Sequence, residues 1–216
     1  IPNPVEGRRL SESEGRLRWL TREEAESLIE ASQIPSRNGH PSNQLADFIL
    51  LALHTGCRSS ELLGLEWNRV DFHNNLILLE AEHTKSGKRR SVPINADARV
   101  ALLNRARYRS ENCPDSPWVF VHSNPRLKGG RVLSVKRGFA TACKQAGIVD
   151  CTPHTLRHTC ASWLVMGGRS LMEIRDILGH STIKMTERYA HLAPEELREA
   201  VSVLESRRTF AVPSRP

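Results

Sequence analysis

Long apolar runs, paired cysteines and tyrosines are the features that this sequence has least of. No apolar stretch approaches the ~20 residues that a helix needs to cross a bilayer, which argues against a membrane protein. The cysteines number five and form no C-x-x-C pair, so neither a disulfide framework nor a zinc knuckle is indicated. No secretory signal is visible, although the chain begins at Ile1 rather than Met. We therefore expect free thiols and a cytoplasmic protein.

Positive charge is what the chain has in excess. Its 216 residues include 31 lysines and arginines against 24 acidic residues, which gives a net charge of +7. The pI is about 9.5 and the mean hydropathy is -0.42, which fits a globular domain with one core. This balance is compatible with nucleic acid as a partner, although solvated surfaces produce basic clusters too. The residues that we select as candidate DNA contacts are Lys88, Arg89, Arg90, Arg126, Lys128 and Arg131.

The hydrophobic pattern predicts a mainly α-helical fold with one small sheet, in the α+β class. Thr21 and Glu24 form a capping box at a helix start, and the nearly all-round apolar run from Leu45 to Leu53 predicts a central buried helix. Between Trp67 and Asn95 the pattern predicts three short antiparallel strands. Further helical patterns cover residues 96–108, 135–146, the segments after Thr152 and Ser170, residues 182–191 and a last stretch from Pro194.

A group of polar residues near the carboxyl end stands where a packed helical segment does not need them. His154, Arg157 and His158 have helical spacing, and the first two lie three apart on one face. His180 follows a glycine at a helix end, and Tyr189 comes nine residues later. A cation, imidazoles and a phenol gathered in this way suit attack on a phosphodiester, with the tyrosine as the nucleophile.

Three motifs in this region resemble those of the tyrosine recombinase (phage integrase) family. HTLRHT, which begins at His154, is similar to the family's H-x-L-R-H box, LGHS to its L-G-H box, and TERYAHL to its nucleophile segment. The order and spacing of the three are far more specific than any one alone. Tyr189 matches the family nucleophile in position and flanks, whereas Tyr108 stands beside no histidine and is interpreted as structural.

Two upstream segments extend the resemblance. Arg58 and Glu61 lie in a segment similar to the T-G-x-R-x-x-E pattern of the first catalytic arginine, at a junction where Ser59 or Ser60 is expected to cap the next helix. Lys85 stands in the turn of the strand region and matches the catalytic lysine of the family's T-K-x-x-K hairpin. A turn lysine is usually solvated, so its assignment rests on the resemblance.

The resemblance implies how the scissile phosphate is held. Arg58 and Arg157 would neutralise its non-bridging oxygens through their planar donor groups, and His180 would add a hydrogen bond. The chemistry needs no metal and no other cofactor. The product would be a 3′-phosphotyrosyl link to DNA and a free 5′-hydroxyl.

The resemblance also implies the path of the protons. His154 would accept the proton of Tyr189, and Lys85 would protonate the departing 5′-oxygen. Glu61 would orient Arg58 or His154. His158 is interpreted as a structural histidine that packs inside.

The expected domain organisation follows from the same comparison. Residues 1–17 read as a linker from an N-terminal DNA-binding domain that would precede them, residues 18–192 as the catalytic domain, and residues 193–216 as a C-terminal helix and tail that protomers would exchange. The implied partners are double-stranded DNA, other protomers in a tetrameric synaptic complex formed from free monomers, and accessory DNA-bending proteins, with no membrane.

Three alternative functions remain open at this point. A type IB topoisomerase shares the chemistry but relaxes supercoils, and a DNA-binding module without catalysis would share the fold. A zinc hydrolase is disfavoured because His154 and His158 enclose no glutamate and lie beside Arg157, which would repel a divalent cation.

Overall fold

The computed structural model describes residues 17–33, 43–81, 87–122 and 125–194, which form a mainly helical domain with one small sheet. The strands are β1 (Val70–Asp71), β2 (Leu76–Leu79) and β3 (Arg90–Pro93). The helices are α1 (Arg22–Ser32), α2 (Gln44–Thr55), α3 (Ser59–Leu63), α4 (Ala96–Asn112), α5 (Lys136–Gln145), α6 (Pro153–Met166), α7 (Leu171–Leu178) and α8 (Lys184–Glu187). The predicted α+β class is confirmed.

Helix α2 is the centre of the main core. It packs against α1, α4 and α6, and Phe48, Ile49 and Leu51 are completely buried along it. Phe48 meets Phe120 edge to face, with the ring centroids 5.7 Å apart. Each such side chain contributes about 1.5–3 kcal/mol of burial free energy. The predicted central helix is therefore confirmed, because its apolar surface has neighbours on several sides.

Local polar residues fix where several helices begin. Thr21 and Glu24 form the predicted capping box of α1, with the Thr21 hydroxyl accepting from the Glu24 amide at 3.1 Å. The prediction that Ser59 or Ser60 caps α3 is wrong. Arg58 occupies the cap position instead, and its amide donates to the Glu61 carboxylate at 2.7 Å. Arg58, expected at a helix junction, is thus the residue that begins the helix.

The sheet is antiparallel with the order β1-β2-β3, as predicted. Ile77 pairs with Val92, and both are buried against the core. Leu79 pairs with Arg90 at the end of the two strands that is nearest to the segment connecting them, and β3 contacts α7. The hairpin turn, residues 82–86, lies outside the described residues, and Lys85 lies within it.

A second, smaller core surrounds Tyr189. The side chains of Ala161, Val165, Ile174 and Leu178 from α6 and α7 enclose it, and Tyr189 itself is 1% exposed. The predicted helix over residues 182–191 is divided into α8 and a 3₁₀ turn at Ala190–Leu192, with Tyr189 between them. The expected last helix and tail, from residue 195 on, and residues 1–16 of the expected linker lie outside the described residues.

Two further features bear on the sequence-based expectations. All five cysteines are free thiols, as expected from their spacing. Within the described part of the chain, no helix combines the length and the apolar character that crossing a bilayer requires.

Candidate active site

The turn between α2 and α3 carries the first candidate arginine. Gly56 ends α2 in the left-handed conformation, with φ of 61°. A β-carbon at this position would lie 2.4 Å from Cδ2 of Leu178, so the turn packs directly on the end of α7. The chain then extends through Arg58, whose side chain is 17% exposed. This glycine therefore allows the close approach that joins the segment of Arg58 to the LGHS segment.

Glu61 binds two arginines with one buried carboxylate. Arg58 donates to it from Nη1 at 2.9 Å and from its amide at 2.7 Å. Arg90 donates from Nη1 at 3.0 Å and from Nη2 at 2.7 Å. Burial acts to raise the pKa of Glu61, but the hydrogen bonds and charge of Arg90, and then those of Arg58, hold that pKa below its usual range. Glu61 is therefore an anion that fixes the orientation of Arg58.

Arg157 lies 3% exposed on α6 and ties two turns together. Its Nη1 donates to the carbonyl of Gly56 at 2.7 Å, and its Nη2 donates to the carbonyl of Leu178 at 2.8 Å. Burial, followed by the charge of Arg58, lowers the pKa of Arg157 to about 10, so it stays charged at neutral pH. Among the described residues, these carbonyls take two of its five N–H groups, which leaves three for a ligand.

His180 follows the C-terminal glycine of α7 and is oriented by a buried hydroxyl. Its Nδ1 lies 2.9 Å from Oγ1 of Thr186, which is completely buried. Burial, then Arg157 and Arg58, lower the pKa of His180 to about 4, so the ring is neutral at pH 7. When Thr186 donates to Nδ1, the ring proton is on Nε2, which is then a donor. Apart from its place in the tyrosine motif, Thr186 had no feature in the sequence that predicted this contact.

The phenol of Tyr189 is bound to His158. The two polar atoms, Tyr189 Oη and His158 Nδ1, are 2.6 Å apart. Burial raises the pKa of Tyr189 to about 12 and lowers that of His158 to about 4, where the neighbouring His154 acts in the same direction. His154 packs edge to face on His158, with the centroids 4.6 Å apart. The histidine that contacts the phenol is thus His158, which was interpreted from the sequence as a structural histidine that packs inside.

The candidate DNA contacts differ in their environments. Lys88, Arg126 and Lys128 are exposed, and Arg89 is 76% exposed while bound to Glu80. Arg131 is half-buried, donates to the carbonyl of Leu63 and packs over Trp118. Arg90 is turned inward to Glu61, in contrast to its predicted contact with DNA. A polar cleft of about 350 Å³ opens beside these groups and is lined by Lys88, Arg89, Arg90, Arg175, Asp176, Gly179, His180 and Ser181.

The zinc-hydrolase alternative requires a group of metal ligands. Over the described ranges, no group of three or more histidine, cysteine, aspartate or glutamate side chains is placed to hold a metal ion. In addition, His158 uses Nδ1 for Tyr189. Four predicted site residues instead gather around the Glu61 carboxylate and the turns at Gly56 and after Leu178. They are Arg58, Glu61, Arg157 and His180.

Comparison with known proteins agrees with this geometry. The model of the phage integrase family matches residues 18–196. The integrase of Salmonella phage P22 is 32% identical over 208 residues, which is 92% of this chain and 50% of the phage protein. Tyrosine recombinase XerA of Pyrococcus furiosus is 33% identical over 187 residues, which is 84% of this chain and 60% of XerA. This chain thus spans about half the length of the P22 integrase.

The fold is shared as well. The structure of the Tn1549 transposon integrase in complex with circular intermediate DNA has a TM-score of 0.68 and 26% identity to this chain, covering 90% of it and 68% of the transposon protein. Because the family model matches most of the chain, the resemblance carried by its motifs is confirmed, and the chain belongs to the phage integrase family of tyrosine recombinases.

Proposed function

We propose that this chain is the catalytic part of a site-specific DNA recombinase, which breaks and rejoins DNA strands through a 3′-phosphotyrosyl intermediate. The observation that carries the proposal is the convergence of the motif residues. Arg157 binds the carbonyl of Gly56, two residues before Arg58, and on the next residue of its helix His158 binds Tyr189. The relatives named integrase and recombinase favour recombination over the relaxation of supercoils.

Charge stabilisation is the first requirement of the reaction. Attack on a phosphodiester places additional negative charge on the non-bridging oxygens. Arg58 stays oriented by Glu61, and Arg157 has free N–H groups next to the same turn. His180 would donate from Nε2. Removal of one donor of this kind costs about 3–4 kcal/mol of transition-state stabilisation.

Proton transfer is the second requirement. The Tyr189 oxygen forms a bond to phosphorus while the bond from phosphorus to the 5′-oxygen breaks. The phenol proton passes to a histidine, for which His158 is placed at 2.6 Å and His154 packs behind it. Lys85 is proposed to give a proton to the departing 5′-oxygen. One phosphoester replaces another, so rejoining by the reverse steps needs no external energy source.

Tyr189 has to leave its present position before it can cut DNA. It is 1% exposed and enclosed by α6 and α7. Its segment consists of the four-residue helix α8 and a 3₁₀ turn. We propose that binding to DNA shifts this segment and brings the phenol toward Arg58 and Arg157.

Double-stranded DNA is the proposed partner, as in the DNA complex of the Tn1549 integrase. Exchange between two duplexes cuts four strands, so four protomers, each with one nucleophile, are proposed in the synaptic complex. Exchange of residues 193–216 between protomers and help from DNA-bending proteins belong to the same proposal. Residues 1–17 are proposed to join a further DNA-binding domain.

The test is the capture of covalent DNA from a library of nicked duplexes with randomised arms. After cleavage next to a nick, the short strand diffuses away and leaves the protein attached to DNA through detergent-resistant bonds. The parent chain is expected to retain a defined sequence, and Tyr189→Phe to retain none while binding DNA as well as the parent. Adducts formed equally by Tyr189→Phe would overturn the proposal, as would a parent chain that forms none.

The captured sequence then separates recombination from relaxation. Placed twice on one plasmid, it should give deletion or inversion products with the complete protein. Relaxation of the plasmid without exchange would instead favour a topoisomerase.

A further inference from the structure

Arg89 and Arg90 are neighbours in the sequence with opposite environments. The Arg89 side chain is 76% exposed, whereas that of Arg90 is 9% exposed. Alternate residues of a strand share a face, so Arg90 lies on the same face of β3 as the buried Val92. Arg90 therefore points into the domain, toward Glu61.

The guanidinium of Arg90 is bound to the carboxylate that orients Arg58. Its two contacts to Glu61, at 3.0 and 2.7 Å, form a fork on both carboxylate oxygens. The Glu61 side chain is 1% exposed, so both contacts are made away from water. Paired donor forks of this kind fix the plane of a carboxylate as well as its charge.

The stem of Arg90 also supports the turn that carries His180. A β-carbon at Gly179 would lie 2.7 Å from Cδ and 2.9 Å from Nε of Arg90. Gly179 has φ of 65° and immediately precedes His180. One side chain thus contacts the anchor of Arg58 and the backbone in front of His180.

We propose that Arg90 is a positioning residue for DNA cleavage: it holds Glu61 so that Arg58 faces the scissile phosphate, and it supports the turn that places His180. This inference rests on the proposed function. It assigns to Arg90 a role inside the protein, where the sequence pattern predicted a contact with DNA.

The proposed role of Arg90 should be visible in the pH dependence of cleavage, because Arg90 affects the pKa of Glu61. The charged and titratable groups that face the carboxylate are Arg58 and Cys57 from the turn, Arg90 from β3 and Arg157 from α6. Burial acts to raise the pKa of Glu61, and Arg90 makes the largest opposing contribution. Without Arg90 the pKa of Glu61 rises, and the carboxyl becomes neutral at a higher pH. Arg58 then loses its ionic partner as the pH falls.

The experiment measures single-turnover cleavage of the captured DNA sequence against pH, for the parent and for Arg90→Met. At pH 7.5 the variant is expected to cleave about 10 to 100 times more slowly, the scale of a displaced catalytic group. The acidic limb of its profile is expected to move to higher pH. Addition of Glu61→Gln should remove that displaced limb, because no carboxyl is left to titrate.

A neutral substrate provides a second readout. Replacement of one non-bridging oxygen of the scissile phosphate by a methyl group removes the charge that Arg58 neutralises. The ratio of parent to variant rates should therefore fall toward one on the methylphosphonate. A general loss of folded structure would lower both rates alike.

Arg89→Met is the matched control, since it removes the same side chain one residue away. It is expected to lower the dependence of DNA binding on salt by about one unit of slope if Arg89 contacts a phosphate, and to leave the acidic limb in place. Arg90→Met should instead move the acidic limb and leave both the DNA affinity and its salt dependence unchanged.

Arg90→Lys carries the test if the methionine variant does not fold. Lysine keeps the charge but lacks the planar fork, so the acidic limb should stay near that of the parent while the rate falls. A rate equal to the parent's would overturn the inference. So would an Arg90→Met variant that loses DNA affinity with an unchanged pH profile, because Arg90 would then be a DNA contact. If the parent itself forms no adduct, it is the proposed function that fails.

Discussion

The phenol oxygen of Tyr189 and Nδ1 of His158 are 2.6 Å apart in a site that water does not reach freely. Because burial moves the pKa of the phenol to about 12 and that of the imidazole to about 4, both groups are neutral at pH 7. The phenol proton therefore stays on Tyr189, and in the tautomer of His158 that carries its proton on Nε2, Nδ1 accepts the hydrogen bond. A neutral, buried phenol of this kind is a weak nucleophile, which is consistent with the proposed shift of Tyr189 on DNA binding.

The ionisation of Tyr189 can be measured directly, since the chain has only two tyrosines. In a Tyr108→Phe background, absorbance at 295 nm reports Tyr189 alone. The folded protein is expected to show almost no tyrosinate at pH 10.5, because the pKa is raised to about 12. The unfolded chain in denaturant should titrate near ~10. Half-ionisation of the folded protein near pH 10 would contradict the buried phenol.

Two arginines of the site should differ in their effect on stability. Arg157→Met leaves the carbonyls of Gly56 and Leu178 without their buried donor, so a loss of about 3–5 kcal/mol is expected. Arg58→Met leaves Glu61 bound to Arg90, and a loss of about 1–2 kcal/mol is expected. Urea unfolding of the two variants gives the comparison. Both variants should lose cleavage activity. Equal losses of stability would argue against a stabilising role for the hydrogen bonds of Arg157 to the carbonyls of Gly56 and Leu178.

Part of this organisation could be foreseen from the sequence. The capping box of α1, the central helix α2 and the three-stranded sheet follow from local patterns that the tertiary structure keeps. The motifs also named the residues that gather around Gly56 and Leu178. Local periodicity is sufficient for such features because each is decided within a few residues of the chain.

Other features depend on distant contacts. His154 and His158 share one face of α6, but their spacing does not show which ring meets a tyrosine more than thirty residues later. The residues of the basic run at Lys88, Arg89 and Arg90 were all predicted to contact DNA. The alternation of Arg90 with the buried Val92 was the signal that one of these side chains turns inward.

The hydroxyl of Thr186 is expected to set the tautomer of His180. Thr186→Val keeps the shape but removes the partner of Nδ1, so cleavage should slow about tenfold or more, as for lost supporting contacts. Thr186→Ser retains the hydroxyl and should stay close to the parent rate. Circular dichroism checks that both variants fold. Equal rates for valine and serine would show that the ring does not depend on this contact.

Acid should destabilise the protein in a definite pH window. The pKa of His158 and that of His180 fall from 6.5 to about 4 on folding. The unfolded chain therefore binds more protons between those values, and stability is expected to decrease as the pH falls from about 6.5 to about 4. Thermal unfolding at half-unit pH steps measures this slope. His180→Gln should make it shallower, and an unchanged slope would contradict the neutral, buried ring.

Substitution of Gly56 tests whether the α2–α3 turn must pack closely on the end of α7. Gly56→Ala places a β-carbon 2.4 Å from Cδ2 of Leu178 in a backbone with φ of 61°. Gly147→Ala meets the same left-handed backbone, with φ of 69°, but has no atom within 4 Å of the added carbon. The control should lose about 1–2 kcal/mol from conformation alone, and Gly56→Ala about 1–3 kcal/mol more from the clash.

The cleavage rates of Gly56→Ala and Gly147→Ala show whether the packing also affects catalysis, apart from its effect on stability. Displacement of Leu178 moves a carbonyl that Arg157 binds and the turn that leads to His180, so Gly56→Ala should slow cleavage even at temperatures where the variant is fully folded. Gly147→Ala should cleave at the parent rate under those conditions. If the two alanine variants matched in both stability and cleavage, the packing of the α2–α3 turn on α7 would not be what holds Arg58, Arg157 and His180 together.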